Sequence, residues 1–110
     1  MFIVLKLLLA IAAAGDGPIP THHQTILMDK IERQVVMPKG AEPLSRYERY
    51  YYRRGGEVVG IYVFGPRASG RRWVADRKNA PLVFDGGCSV VNVVFVVASG
   101  DIRTHCNGLA

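Results

Sequence analysis

The sequence predicts an α+β domain in which one N-terminal helix packs on a four-stranded antiparallel sheet built from two hairpins. Three features indicate this fold class. An early segment repeats apolar residues at helical spacing, two pairs of β-rich runs flank glycine-containing turns, and each pair is close enough in the chain for a hairpin connection. Because a single helix cannot bury its apolar stripe alone, we expect the stripe to cover one face of the sheet.

The first fourteen residues, MFIVLKLLLAIAAA, have the composition of a secretory signal peptide. Lys6 is their only charge, and Ala12 and Ala14 form an A-x-A pattern before Gly15. A buried amphipathic first helix is the competing interpretation, whereas a membrane-spanning helix would need roughly 20 apolar residues. We therefore predict a signal peptide over 1–14, a leader over 15–20, a single domain over 21–110, and a periplasmic or secreted mature chain without a transmembrane helix.

Residues 21–36 are predicted to form the helix. Thr21 is a suitable N-cap because its hydroxyl can accept a hydrogen bond from a free backbone N–H. Leu27, Ile31 and Val35 recur every four positions and therefore form one apolar stripe. The Pro-Lys-Gly sequence at 38–40 is expected to end the helix.

Two hairpins are predicted downstream of the helix. The first pairs residues 44–54 with 57–64 around Gly-Gly, and the second pairs 89–97 with 102–106 around the turn at 98–101. Residues 89–97 are apolar on both faces, which favours a central strand covered on both sides. Gly60 marks either a bulge or a place where a tyrosine ring lies over bare backbone. Between the hairpins, 67–81 is polar and basic with Trp73 and Val74 as inward anchors, and 82–84 is a short strand candidate.

Cys88 and Cys106 are the only two cysteines, and an even count in an exported chain favours one disulfide. Strand register limits this pairing. A two-residue turn would place Cys106 opposite Val93, which is too far from Cys88 for the short Cα separation that a disulfide requires. A wider loop with Gly100 in a left-handed conformation moves the partner of Cys106 to residue 90 or 91, and a turn at 86–87 then closes the remaining gap.

Other chemistry for the cysteines and histidines is less well supported. A metal site would combine His22, His23, His105 and the two cysteines, but these lack the paired spacing of structural zinc ligands. A Cys88–His105 nucleophile pair is a second alternative. The common hydrolase, nucleotide-binding and metalloprotease motifs are absent from the sequence. We predict no catalytic residue, no metal and no cofactor, and we favour a non-enzymatic protein over a small secreted enzyme or enzyme inhibitor.

The segment 46–78 is the most distinctive surface feature of the sequence. It carries nine basic and three acidic residues, a net charge of +6, whereas the whole chain has a formal net charge of +5. Such uneven charge suggests attraction to an anionic partner. Arginines beside tyrosine rings suit phosphate, sulfate or carboxylate groups. The candidate anion-binding face comprises Tyr47, Arg49, Tyr51, Arg53, Arg71 and Arg72. The competing interpretation is a solvated sheet face on which tyrosines pack under arginine stems.

The runs YERYYY, GRRWV, DGGCSVVNVVF and the terminal CNG, which together fall within residues 30–108, resemble small uncharacterised exported proteins of Gram-negative bacteria. The resemblance implies an envelope location and supports the pairing of Cys88 with Cys106. It brings no catalytic or binding residue. The expected partners are an anionic envelope lipid or polysaccharide, or another envelope protein, and no nucleic acid is expected. A structural envelope component that self-associates through the sheet is a further possibility.

Overall fold

The computed structural model describes residues 18–66, 70–82 and 85–108. Within these ranges the chain forms the helix α1 (His22–Gln34) and the strands β1 (Tyr47–Arg54), β2 (Glu57–Phe64), β3 (Arg71–Trp73), β4 (Gly87–Val96) and β5 (Ile102–Asn107). Single 3₁₀ turns at Leu44–Arg46 and Arg77–Asn79 precede β1 and follow β3. The predicted signal peptide, the first part of the leader and two residues of the strand candidate at 82–84 lie outside the described residues.

The five strands form one mixed sheet in the order β3-β1-β2-β4-β5. The two predicted hairpins are confirmed, since β1 pairs with β2 and β4 pairs with β5, both antiparallel. The expectation of a four-stranded, wholly antiparallel sheet was wrong, because β3 adds a fifth strand parallel to β1. Sequence patterning misses β3 because it has only three residues and no apolar alternation.

The helix α1 begins with the capping box expected at Thr21. The Gln24 N–H donates to the Thr21 hydroxyl and the Gln24 side chain accepts from the Thr21 N–H, which satisfies two otherwise free donors. Leu27, Met28 and Ile31 are buried and pack on the sheet, as the four-residue spacing predicts. The helix ends at Gln34, where the next residue is already extended.

Both faces of β2 are covered, and β4 is fully covered only on the side toward α1. The face toward α1 carries the main core, which contains Tyr47, Tyr51 and Tyr62 among aliphatic residues of β2 and β4. On the opposite face, Ala80 and the half-buried Val74 bring the segment after β3 over Tyr52, Val59, Ile61 and Val90. In β4, Val91, Val93 and Phe95 are buried on the side toward α1, whereas on the opposite side Val90 is buried and Val94 and Val96 are half-buried, so the expected cover on both sides is only partial.

Gly60 provides the space that two core tyrosines need. A Cβ at this position would lie 3.1 Å from a ring carbon of Tyr51 and 3.1 Å from a ring carbon of Tyr62. Tyr51 is also the cross-strand partner of Gly60, so its ring lies over bare backbone. Of the two interpretations of this glycine, ring packing is the one observed.

Cys88 and Cys106 form a disulfide with a Cα–Cα separation of 4.5 Å. The wider turn that this pairing requires is present, with Gly100 at a φ of 82° and Cys106 opposite Val91. A register shift between Gly87 and Val91 then brings Cys88 back toward β5. The bridge therefore joins the start of β4 to the end of the edge strand.

Reduction of this disulfide is expected to lower the free energy of unfolding substantially. The cysteines are 18 residues apart, and closing a loop of that size stabilises a fold by about 3 kcal/mol in the chain-entropy model. Urea denaturation with and without reductant measures the difference. Equal urea midpoints under the two conditions would contradict the prediction.

Candidate functional site

The structure does not place the six candidate anion-binding residues on one exposed face. Tyr47 and Tyr51 are fully buried at 0% exposure, and the Arg49 side chain is 11% exposed. These three alternate on the side of β1 that α1 covers. Arg53 is exposed near the β1–β2 turn. The expected Arg/Tyr face is therefore largely an interior surface. The sequence did not predict this burial, because the two-residue period of a strand identifies which residues share a face but not which face the helix covers.

The carboxylate of Glu32 joins the helix to β1 and β3. The Arg49 Nε donates to Glu32 Oε2 over 3.0 Å, and the Tyr51 hydroxyl donates to the same oxygen over 2.8 Å. Arg71 lies 3.3 Å from Glu32 Oε1 and also donates to Asp29 over 2.6 Å. We call the group formed by these residues and Tyr62 the Glu32 cluster: Asp29, Glu32, Arg49, Tyr51, Tyr62 and Arg71. Its two carboxylates and two guanidiniums balance each other within the fold.

The two tyrosines of the Glu32 cluster form a directed hydrogen-bond chain. Their hydroxyl oxygens are 2.7 Å apart. A carboxylate only accepts, so the Tyr51 hydroxyl donates its hydrogen bond to Glu32, and the Tyr62 hydroxyl must donate to the Tyr51 oxygen. Burial raises the pKa of Tyr51 above its ordinary value, reinforced by Tyr62 and Glu32. Burial also raises the pKa of Tyr62. Both side chains therefore stay protonated and neutral near neutral pH.

Arg72 belongs to a smaller group on the opposite face of the sheet. Its guanidinium carbon lies 5.0 Å from the centroid of the Tyr50 ring, and its NH2 group lies 3.2 Å from Glu48 Oε1. The Tyr50 hydroxyl donates to the same carboxylate oxygen over 3.1 Å. Burial raises the pKa of Tyr50, and the Glu48 carboxylate adds to the effect. This is the packing of a tyrosine beneath an arginine that the competing interpretation anticipated.

A second group of cations lacks acidic partners in the described part of the chain. Arg53 and Arg77 donate to the backbone carbonyls of Gly55 and Pro81, which leaves their charges unneutralised. Lys78 is exposed and forms no ion pair with any described residue. We call Arg53, Arg77 and Lys78 the hairpin-end cations. Since β3 runs parallel to β1 and Val74 bonds to Tyr51, the chain leaves β3 toward the end of β1 that carries Arg53.

A small cavity lies beside the disulfide, at the other end of β1. Its volume is about 270 Å³, and it is lined by Gly40, Glu42, Phe64, Cys88 and Ser89. Behind it, the Tyr47 hydroxyl accepts from the Glu42 N–H over 3.0 Å and donates to the Cys88 carbonyl over 2.7 Å. Tyr47 thus fixes the two segments that form the cavity walls. No local pattern in the sequence indicates this site, because its lining residues come from three separate segments.

The alternative sites that involve the histidines and cysteines are not assembled. Both cysteines are in the disulfide, so the Cys88–His105 nucleophile pair is contradicted. His22 and His23 are exposed at the start of α1, and His105 is exposed on β5. Across residues 18–66, 70–82 and 85–108, no three side chains of the metal-binding types come together. Within the same ranges, no helix has the length and apolar character needed to cross a membrane.

No protein-family model matches this sequence, and neither a curated protein nor a solved structure matches it. The resemblance of the YERYYY and DGGCSVVNVVF runs to exported proteins therefore stays a prediction.

Substitution of Glu32 tests the role of the Glu32 cluster. Glu32→Ala removes the carboxylate that accepts from Arg49 and Tyr51 and one of the two carboxylates that Arg71 contacts, in a site where the Glu32 side chain is only 16% exposed. We expect a loss of about 2–3 kcal/mol in the free energy of unfolding. Arg33→Ala is the matched control, because Arg33 is the exposed neighbour on the same helix. If chemical denaturation shows equal effects of the two substitutions, the cluster does not stabilise the fold.

The raised pKa values of Tyr51 and Tyr62 predict a loss of stability at alkaline pH. The ordinary value is 10.0, so both phenols are protonated below pH 10 in the folded and unfolded states. Above pH 10 the unfolded chain loses these protons first, and stability falls by about 1.4 kcal/mol per pH unit for each tyrosine. Urea midpoints should therefore fall between pH 10 and 11, with a shallower slope in Tyr62→Phe. Phenolate absorbance that develops for all five tyrosines of the folded chain near pH 10 would contradict this expectation.

Proposed function

We propose that the protein is an exported envelope protein and a non-enzymatic binding or accessory module, whose anionic partner is held by the hairpin-end cations. The observation that carries the proposal is that some cations of the segment 46–78 form ion pairs with carboxylates while others do not. The fold neutralises some of its arginines internally and leaves others facing solvent. A disulfide fits an oxidising compartment outside the cytosol, which supports the export part of the proposal.

Each acidic residue of the segment 46–78 already has a structural partner. Glu48 binds Arg72 and Tyr50, and Glu57 binds Arg54. Asp76 accepts from the backbone N–H of Lys78 and caps the short turn there. The charges of Glu48 and Glu57 are thus offset by arginines, whereas the exposed Asp76 carboxylate bonds only to a backbone N–H and keeps its charge, so the three hairpin-end cations together with Asp76 carry a net charge of +2. Two flexible guanidiniums and one ammonium near one end of a sheet are suited to phosphate, sulfate or carboxylate groups.

An anionic lipid headgroup or an acidic polysaccharide is the partner we favour in an envelope compartment. Both present repeated anionic groups on an extended surface, and neither requires a deep pocket. A cation near an anionic membrane gains about 1 kcal/mol of attraction. Association through three such cations is expected to weaken steeply with salt, because exposed charges are screened within about 10 Å at 0.1 M.

The test compares charge removal at two places on the protein. The variant Arg53→Gln/Arg77→Gln/Lys78→Gln should bind vesicles rich in phosphatidylglycerol about 100-fold more weakly than the unsubstituted chain, if each cation contributes about 1 kcal/mol. The control, Lys30→Gln/Arg33→Gln/Lys39→Gln, removes the same charge from exposed positions elsewhere and should lose much less. A heparin column with a salt gradient gives the equivalent measurement for a polysaccharide.

Equal losses in the two triple variants would show that only net charge matters and would contradict a site at the hairpin end. Absence of salt-dependent binding to both surfaces would contradict an anionic partner of either kind. The small secreted enzyme or enzyme inhibitor would then be the better hypothesis.

A further inference from the structure

We propose that the cavity beside the disulfide binds a small organic ammonium ion, with the Glu42 carboxylate as counter-ion and the Phe64 ring as apolar wall. This inference is independent of the proposed anionic partner. The cavity lies at the start of β1, while the hairpin-end cations lie near its other end. Its chemistry also has the opposite sign, because the charged residue among the described residues that line it, Glu42, is an acid.

The Glu42 carboxylate is available for a ligand. It is exposed, and no cation of the described residues lies within ion-pair distance of it. Its backbone, by contrast, is fixed, because the Glu42 N–H donates to the buried Tyr47 hydroxyl over 3.0 Å. Because this backbone is anchored, binding of an ammonium orders only the Glu42 side chain and not the main chain. In a chain with a net charge of +5, such a carboxylate is a local exception that favours a cation over an anion.

The aromatic wall adds a second preference for a cation. The face of an aromatic ring carries negative electrostatic potential, and it attracts ammonium and guanidinium groups. The chain already shows this attraction, since the Arg46 guanidinium carbon lies 5.3 Å from the centroid of the Phe64 ring. Arg46 has no acidic partner among the described residues and is exposed. It is therefore a weakly held competitor for any cation that reaches the same ring.

The dimensions of the cavity restrict the ligand to a small molecule. A volume of about 270 Å³ falls just below the range of about 300–1,000 Å³ typical of ligand pockets, so it suits a primary amine with a short alkyl stem. The wall formed by Cys88 is rigid. The Cys88 sulfur lies 3.6 Å from the Lys39 carbonyl oxygen, and the Cys88 carbonyl accepts from Tyr47 over 2.7 Å. The cavity is thus held by the disulfide and by Tyr47 before any ligand arrives.

The experiment titrates the oxidised, isotope-labelled chain with n-butylammonium chloride at constant ionic strength and follows backbone amide resonances by NMR. We expect saturable shifts centred on Gly40 and Ser89, with a dissociation constant on the order of millimolar. The neutral analogue 1-butanol matches the alkyl stem but lacks the charge, and it should bind several times more weakly. Unsaturable shifts, or equal responses to the amine and the alcohol, would overturn the proposal.

Two substitutions with opposite expected effects locate the site. Glu42→Gln should weaken n-butylammonium binding by about fivefold or more, and Arg46→Gln should strengthen it by about twofold, because it removes the competing cation. Glu57→Gln and Arg33→Gln make the same changes of charge away from the cavity and should leave binding nearly unchanged. Glu42, Arg46 and Arg33 are exposed, and Glu57 is half-buried at the start of β2. None of the four belongs to the core, so the fold should persist. If Glu42→Gln and Glu57→Gln change the affinity for n-butylammonium equally, and Arg46→Gln and Arg33→Gln do so too, the amine responds only to net charge and the proposed site is disproved.

Discussion

The carboxylate of Glu32 is the interaction on which the arrangement of the surface depends. It accepts from Arg49 and Tyr51 of β1, and it pairs with Arg71 of β3. Through Tyr51 it also reaches Tyr62 of β2. One helical side chain therefore connects α1 to three adjacent strands. These contacts hold the helix over the side of β1 that carries Tyr47, Arg49 and Tyr51. This side of the strand is therefore in the interior of the fold. Only the cations outside the reach of Glu32 face solvent, and these are the ones that a partner can use.

The disulfide supports the opposite end of the sheet from the Glu32 cluster. In that region β4 departs from regular pairing between Gly87 and Val91, and β5 is an edge strand with a single neighbour. An irregular ladder loses main-chain hydrogen bonds, so a covalent link is most valuable there. Tyr47 completes the same corner by joining the Glu42 N–H to the Cys88 carbonyl. The core under α1 and the disulfide at the start of β4 thus stabilise different parts of one small domain.

Local patterns in the sequence were sufficient for the elements with strong periodicity or specific turn chemistry. The Thr21 cap, the two hairpins and the left-handed Gly100 all follow from short-range rules. The strand β3 was not predictable, because its three residues are extended only through backbone pairing with β1, in which Arg71 lies beside Arg49 and Trp73 beside Tyr51. The exposure of the candidate anion-binding face was mispredicted for a related reason. Alternation correctly placed Tyr47, Arg49 and Tyr51 together, but burial of that side depends on a carboxylate 17 residues away from Arg49 in the chain. The cavity combines residues from three segments and leaves no local signal.

The two proposed sites have opposite charge, and the length of β1 keeps them electrostatically separate. Tyr47 stands behind the cavity at the start of the strand, and Arg53 lies near its end. Six residues of extended chain span about 20 Å. That distance is about twice the screening length of roughly 8–10 Å at physiological ionic strength. The Glu42 carboxylate therefore cannot cancel the attraction of the hairpin-end cations for an anionic surface, nor can those cations expel an ammonium ion from the cavity. The rigid strand between them allows one domain of modest size to present both kinds of charge at once.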